Sequence, residues 1–375
     1  MRSAARPSIG TVRAAVLESF GSPLAVREVP DPVPGAGEVV VDVAAAGVLP
    51  YTGEVLGGER NYLLTLPAIP GAGAVGRVRS VGPDATRLAP GDWVLCDPAI
   101  RSRDDALTPD ITLQGLSARG EGGLALERHY GRGSFAERLL VPTENVHPLG
   151  PIGPADAARW CAVHVCLVPY GGLHAVGLQP GESVLVSGAT GNFGSAGVAT
   201  ALAMGAGVVV APGRNAAMLA ELEKRFGSRV RTVELTGDGD TERMRAAAGP
   251  VDVVLDLLPP SAPASAVRAA VLAVREYGRV ALMGGVGMLG GDDLALPYPW
   301  LMRNSVTVRG QWMHQRGAVG RVIALARAGL LDLTGFAVTG FALDDVNTAV
   351  RDAADRGGRF QLTVVHPRDA AGAGS

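Results

Sequence analysis

The stretch 183–197, SVLVSGATGNFGSAG, carries the densest chemical signal in the chain. An apolar run, Val184-Leu185-Val186, leads straight into Gly188, Gly191 and Gly194, and Ser195 opens an alanine-rich segment that reads as a helix. Strand, glycine turn and helix in that order let the backbone approach a pyrophosphate. The free N–H groups of the helix start then face its charge. Thr190, Asn192 and Phe193 lie in the same turn and are further candidates to touch a dinucleotide. A lone glycine triplet is weak evidence, and its place midway along the chain is part of the signal.

The next apolar run ends Val210-Ala211-Pro212-Gly213-Arg214-Asn215. Domains that bind NAD usually close their second strand with an acid that bonds the ribose 2′-hydroxyl. No acid stands here, and Arg214 does. A carboxylate would repel a 2′-phosphate, whereas a guanidinium can hold it bidentately. Gly213, Arg214 and Asn215 are therefore expected to hold a phosphorylated ribose, and the expected cofactor is NADPH. The plain alternative is an arginine solvated near a helix start.

These residues need a scaffold, and the chain offers one in two parts. Its 375 residues, 47% hydrophobic and 19% charged, suffice for about two domains with a sizeable core. The 34 basic and 36 acidic residues nearly cancel, unlike the basic footprint of a nucleic-acid binder. Cys96, Cys161 and Cys166 show no paired spacing, which suits a reducing cytoplasm rather than a disulfide framework. The opening MRSAARPSIGT has no apolar region behind it, so no signal peptide is expected, and the tail RDAAGAGS is expected to fray. No apolar run reaches the ~18 residues of a membrane span.

Residues 11–48 read as short strands among turns, including 11–17 and 38–44, and 69–81, 91–95 and 134–141 add more. Dense glycine and proline there fit a small, twisted, barrel-like antiparallel domain. Residues 97–133 show little periodicity and read as a long loop. The segment 155–175 reads as one alanine-rich helix. Strands at 183–187, 208–211, 230–235, 251–257 and 279–283 then alternate with helices at about 193–205, 215–227, 240–248 and 262–275. Apolar strands alternating with helices imply a parallel sheet covered on both faces. A further amphipathic helix spans 317–329, and 336–366 returns to short strands and one helix.

With that order in view, the chain resembles the medium-chain dehydrogenase/reductase superfamily over nearly its whole length. The resemblance is carried by VREVPDPVPGAGEVVVDVAAAGV, IPGAGAVGRVRSVG, PGDWVL, GSFAERLLVP and LQPGESVLVSGATGNFGSAG, in the family's order. It implies an α/β protein: a Rossmann-type doubly wound parallel sheet plus a GroES-like partly open β-barrel catalytic domain. The expected boundaries are 1–156 for the barrel domain, 157–304 for the cofactor domain and 305–375 for the return to the barrel domain. It also implies hydride transfer to or from a small-molecule substrate, and a homodimer or homotetramer.

The likeness fails where the zinc branch of the family keeps its metal. Leu49 stands where that branch has a cysteine, and Gly71-Ala72-Gly73 replaces its Gly-His-Glu. Only His164 matches a ligand position. Zinc needs thiolate, imidazole or carboxylate donors, normally three in a catalytic site. No metal is expected, and the chain is expected nearer the zinc-independent, quinone oxidoreductase-like branch. The resemblance also locates Tyr51 in the cleft segment, where its phenol could donate a proton, and His164 at a former ligand position. Both are catalytic candidates, each against the bland alternative of a packed side chain. Gly284 and Gly285 are expected beside the nicotinamide. Trp312 and Met313 are expected to form an apolar substrate wall, though core packing explains them nearly as well. The expected function is NADPH-dependent hydride transfer to an enone, quinone or other conjugated electrophile. Alternatives are a zinc-free carbonyl or imine reductase, a specialised biosynthetic member of the family, or a non-catalytic NADPH-binding protein.

Overall fold

A computed structural model of the chain describes residues 10–105 and 107–368. The expectations for the N-terminal stretch to residue 9 and for the tail from 369 lie outside the described residues. The contacts divide the chain into two compact units. Among the described residues, one comprises 10–162, 337–357 and 362–368, and the other 163–336 and 358–361.

The first unit opens with an antiparallel pair, β1 (Thr11–Val16) and β2 (Ala25–Pro30). Its main sheet centres on β3 (Glu38–Val48), whose valines are almost wholly buried. Helix α1 (Thr52–Gly57) follows, then β4 (Ala74–Val81) and β5 (Trp93–Cys96). The segment 97–133 is not the irregular loop its sequence suggests. It forms a small sheet, β6 (Ala99–Arg101), β7 (Ile111–Leu113) and β8 (Ser117–Ala118), and a helix, α2 (Gly120–Tyr130). Strands this short show no alternation to read. The start of α2 also lies so close to β7 that a Cβ on Gly123 would stand 2.5 Å from the Ile111 carbonyl oxygen, so the glycines that suggest a loop are needed for packing. Strand β9 (Arg138–Pro142), strand β10 (Val146–Pro148) and the short helix α3 (Ala157–Trp160) complete this part.

The second unit begins with α4 (Ala162–Ala175), so the single helix expected over 155–175 is in fact two. Six strands then form one parallel sheet: β11 (Ser183–Ser187), β12 (Val208–Gly213), β13 (Val230–Glu234), β14 (Val251–Asp256), β15 (Val274–Leu282) and β16 (Thr307–Gly310). Their order across the sheet is β13-β12-β11-β14-β15-β16, and every pairing is parallel. The connecting helices are α5 (Asn192–Ala203), α6 (Ala216–Phe226), α7 (Asp240–Ala248), α8 (Ala264–Leu272) and α9 (Tyr298–Arg303), with α10 (Ala318–Arg327) beyond the last strand. Val184, Leu185 and Val186 of the central strand have no exposed surface, which explains their unbroken apolar run.

The expected return to the barrel domain at residue 305 is corrected: it comes after Phe336. Residues 307–310 are the sixth strand of the parallel sheet, paired to β15 from Arg279↔Thr307 to Leu282↔Gly310. The first boundary likewise falls after Ala162 rather than after residue 156.

The chain then completes the first unit with β17 (Ala337–Ala342), α11 (Val346–Arg356) and β18 (Gln361–His366), which pairs antiparallel with β3. The main sheet runs β10-β5-β4-β3-β18-β17, with β9 also on β3. This is the GroES-like, partly open barrel. Its core joins valines of β3 and β9 to Phe135, Val346 and Val365.

Candidate cofactor and active site

The glycine turn after β11 has the geometry its sequence demands. Gly188 sits at φ +86°, and a Cβ on Gly194 would lie 1.8 Å from the Gly188 carbonyl oxygen. Only glycine at 194 lets the helix start this close to the strand end. Helix α5 starts at Asn192, within a residue of the start at about 193 read from the sequence, and Gly191 at its N-cap supplies no side-chain cap. The N–H groups of its first turn are left for an anion.

The turn meets the end of β12, where a Cβ on Gly213 would stand 2.8 Å from Thr190 Cγ2. Arg214 follows. It is exposed, and among the described residues it forms no ion pair or hydrogen bond. Asn215 caps α6, its Oδ1 accepting from Met218 N at 3.1 Å. Asn192, expected to touch the dinucleotide, has its amide nitrogen engaged elsewhere. Its Nδ2 donates to the carbonyls of Gly358 at 3.2 Å and Gln361 at 3.0 Å. Ser195 Oγ accepts from Phe360 N at 3.1 Å. Sequence reading could not see this latch, because its two halves are far apart in the chain.

Past β14 and β15 the loops run backbone against backbone. Gly285 N donates to Leu258 O at 2.8 Å, and a Cβ on Gly285 would meet Pro260 Cδ at 2.8 Å. A Cβ on Gly284 would stand 2.4 Å from Asp256 Oδ2. Asp256 is 3% exposed, and burial pushes its carboxyl up to about 6. Asp256 was not among the expected site residues, although an acid closing a strand straight after the apolar run Val253-Val254-Leu255 is a visible signal. The segment holding Trp312 and Met313 follows β16, and Gln311 N bonds Leu282 O at 3.0 Å. Trp312 is exposed and Met313 half-buried, at φ +57°. This segment packs on α4, where a Cβ on Gly171 would lie 2.4 Å from Met313 O. His164 lies half-buried on α4.

In the first unit, Leu49 and Ala72 line one recess of about 270 Å³, counting its open mouth, together with Thr52, Val55, Leu116 and Phe135. Tyr51 precedes α1 and is half-buried. The Arg60 guanidinium lies over its ring, 4.3 Å from the centroid, and Arg60 Nε donates to Glu54 Oε2 at 2.7 Å. Burial pushes the Tyr51 phenol above the usual tyrosine range; Tyr62 and Glu54 add to this, and Arg60 opposes it. Tyr51 belongs to the first unit and His164 to the second, so neither unit contains both.

Residues 35–151 match the family model described as alcohol dehydrogenase GroES-like domain, and residues 193–328 that described as zinc-binding dehydrogenase. The chain is 30% identical over 327 residues to an alcohol dehydrogenase of Rhizobium meliloti strain 1021, spanning 85% of this chain and 89% of that one. The chain belongs to the medium-chain dehydrogenase/reductase superfamily. An acryloyl-coenzyme A reductase of Metallosphaera sedula is 31% identical over 199 residues, 53% of this chain and 58% of the relative. A thermostable alcohol dehydrogenase of Pyrobaculum aerophilum has the same fold, with a TM-score of 0.75 at 24% identity over 95% of this chain and 100% of the other.

As a medium-chain dehydrogenase/reductase, the protein is an oxidoreductase that works with a nicotinamide cofactor on a small-molecule substrate. The uncapped start of α5 and the glycine cradle fit such a cofactor. Zinc is another matter. The recess that holds Leu49 and Ala72 presents no thiolate, imidazole or carboxylate. Among the described residues no group of three or more His, Cys, Asp or Glu could hold a metal ion. The residues that line this recess therefore do not supply the donors that zinc takes. Cys96, Cys161 and Cys166 are buried, and burial raises all three thiols, Cys161 and Cys166 to about 12. Among the described residues no helix is long and apolar enough to cross a membrane.

Proposed function

We propose that the protein is a zinc-independent, NADPH-dependent reductase of enones, quinones or related conjugated electrophiles, akin to the quinone oxidoreductase-like branch. The observation that carries this is the aliphatic recess at Leu49 and Ala72. Without metal donors, the acceptor's oxygen has to be met by a protein group. When bound, the cofactor supplies a hydride from nicotinamide C4. Gly188, Thr190, Gly191, Phe193 and Gly194 take the pyrophosphate at the start of α5, with Asn192 shaping the turn. Gly213, Arg214 and Asn215 take the phosphorylated ribose, and the unpaired charge of Arg214 supports the choice of NADPH. Gly284 and Gly285 border the nicotinamide, and Trp312 and Met313 the substrate. Tyr51 is the leading proton donor: burial keeps its phenol protonated, as a donor to a developing oxyanion must be. His164 is the second candidate for this role.

An acryloyl-coenzyme A reductase among the relatives agrees with reduction of a conjugated double bond. The alcohol dehydrogenase relatives favour a carbonyl reductase as the second reading. We further propose a homodimer or homotetramer built on the outer edge of β16, where Thr307, Arg309 and Gly310 are exposed beside no further strand, and a cytoplasmic location that keeps the buried thiols reduced.

Titration with NADPH and NADH, followed by turnover of enone, quinone and aldehyde panels, tests this. NADPH should bind at least about tenfold tighter than NADH, and Arg214→Ala should remove the difference. Equal affinities in the wild type would sink the choice of NADPH. Turnover of aldehydes with none of enones or quinones would favour the carbonyl reductase. Cofactor binding without turnover of any acceptor would identify a non-catalytic binding protein.

A further inference from the structure

We propose that Asp256 is a positioning residue for the nicotinamide half of the cofactor, holding the loops after β14 and β15 in the course that half requires. The proposal rests on the dinucleotide reading above and extends it to a residue that reading does not use.

The sheet order assigns the strand ends. It reverses between β11 and β14, and ligands of open α/β sheets lie across the carboxyl ends of the strands at such a reversal. The glycine turn that follows β11 takes the pyrophosphate. Arg214, at the end of β12, marks the adenosine side. The nicotinamide half then extends the other way, over the ends of β14 and β15.

Asp256 is the last residue of β14 and stands between these strands. In register it faces Ser187 of β11 on one side and Leu282 of β15 on the other. Its carbonyl accepts from Met283 N at 3.1 Å, and the next residue, Leu257, donates to Ser187 O at 3.1 Å. Its side chain works at the same junction. The Leu258 and Gly284 N–H groups and the Ser187 hydroxyl bond the carboxylate and favour its charged form. One buried group therefore reaches the end of β11, the loop after β14 and the loop after β15.

The seam is closely packed around this side chain. Gly284 has no room even for a Cβ: besides Asp256 Oδ2, that atom would meet Leu258 O at 2.7 Å and Leu258 N at 3.0 Å. Asp256 Oδ1 is buried without a hydrogen-bond partner. A buried acceptor left unpaired is costly, and a role at a ligand site is one reason to keep such a group. Asp256 would hold the two loops in the course that the nicotinamide half needs when bound.

The test compares two probes by calorimetry or tryptophan quenching: NADPH, and adenosine 2′,5′-bisphosphate, which lacks the nicotinamide half. Asp256→Leu should weaken NADPH at least about tenfold and leave the fragment within about twofold. Asp256→Asn retains a carbonyl acceptor and should restore NADPH binding to within about threefold of the wild type. Gly284→Ala keeps the carboxylate but forces the seam apart, and should reproduce the selective loss even if Asp256→Leu fails to fold. Equal loss of both probes in Gly284→Ala, or unchanged NADPH binding in Asp256→Leu, overturns the proposal while leaving the cofactor reading intact. A wild type that binds neither probe overturns both.

Discussion

Replacing Asp256 with Asn should make the protein more stable at pH 8 and leave it nearly unchanged at pH 4. The carboxyl is 3% exposed, and burial raises it from 3.8 to about 6. A group raised by folding stabilises fully while it is protonated in both states, below its unfolded value. It loses that contribution as pH climbs through its folded value. The window therefore opens near 3.8 and closes just above 6. Across it the wild type forfeits about 3 kcal/mol, from a rise of about 2 pK units at ~1.4 kcal/mol each, as an upper figure. Asn does not titrate, so the variant escapes this loss while its carbonyl still accepts the Leu258 and Gly284 N–H groups. Urea unfolding at a series of pH values, read by tryptophan fluorescence, gives the difference directly. The variant's advantage should grow between pH 4 and 6.5 and then level off. A variant less stable by a constant amount at every pH would refute the claim that burial of charge dominates at this site.

Other consequences can be checked alongside. Gly194→Ala drives a methyl into the Gly188 carbonyl and should weaken NADPH binding by on the order of tenfold or more, measured by titration, with a stability loss of about 1–3 kcal/mol. Dialysis against EDTA should leave activity within about twofold, and elemental analysis should find no stoichiometric zinc, because Leu49 and Ala72 supply no donor. Tyr51→Phe should lower kcat by on the order of 10²-fold if the phenol is the proton donor. Since burial raises that phenol, the donor form persists as pH rises, and kcat/KM should show no basic limb from Tyr51 below about pH 10.

The sequence was most legible where signals are local. Strand 183–187 and helix 240–248 have the bounds read from their patterns, and the glycine turn lies where its spacing put it. It was least legible where short pieces depend on distant partners. Strands β6 to β8 are two or three residues long and exist by pairing with one another. Arg60 and Glu54 form their ion pair within a short stretch of chain, but the stacking of Arg60 on Tyr51 depends on how the chain turns back after α1.

By itself, the sequence determined the two-part α/β architecture, the glycine turn after the first parallel strand and the absence of zinc donors at positions 49 and 72. Each of these follows from residue type at fixed local spacing: a glycine's freedom, a strand's apolar run, a side chain's lack of a lone pair. The tertiary structure alone decided that Leu49 and Ala72 share one recess, that Asn192 latches residues 358–361, and that Asp256 lies between Ser187 and Leu282. Those neighbours are set by strand order and by loops closing over many residues. The pairing energy that fixes them belongs to the assembled sheet and to no single segment of the chain.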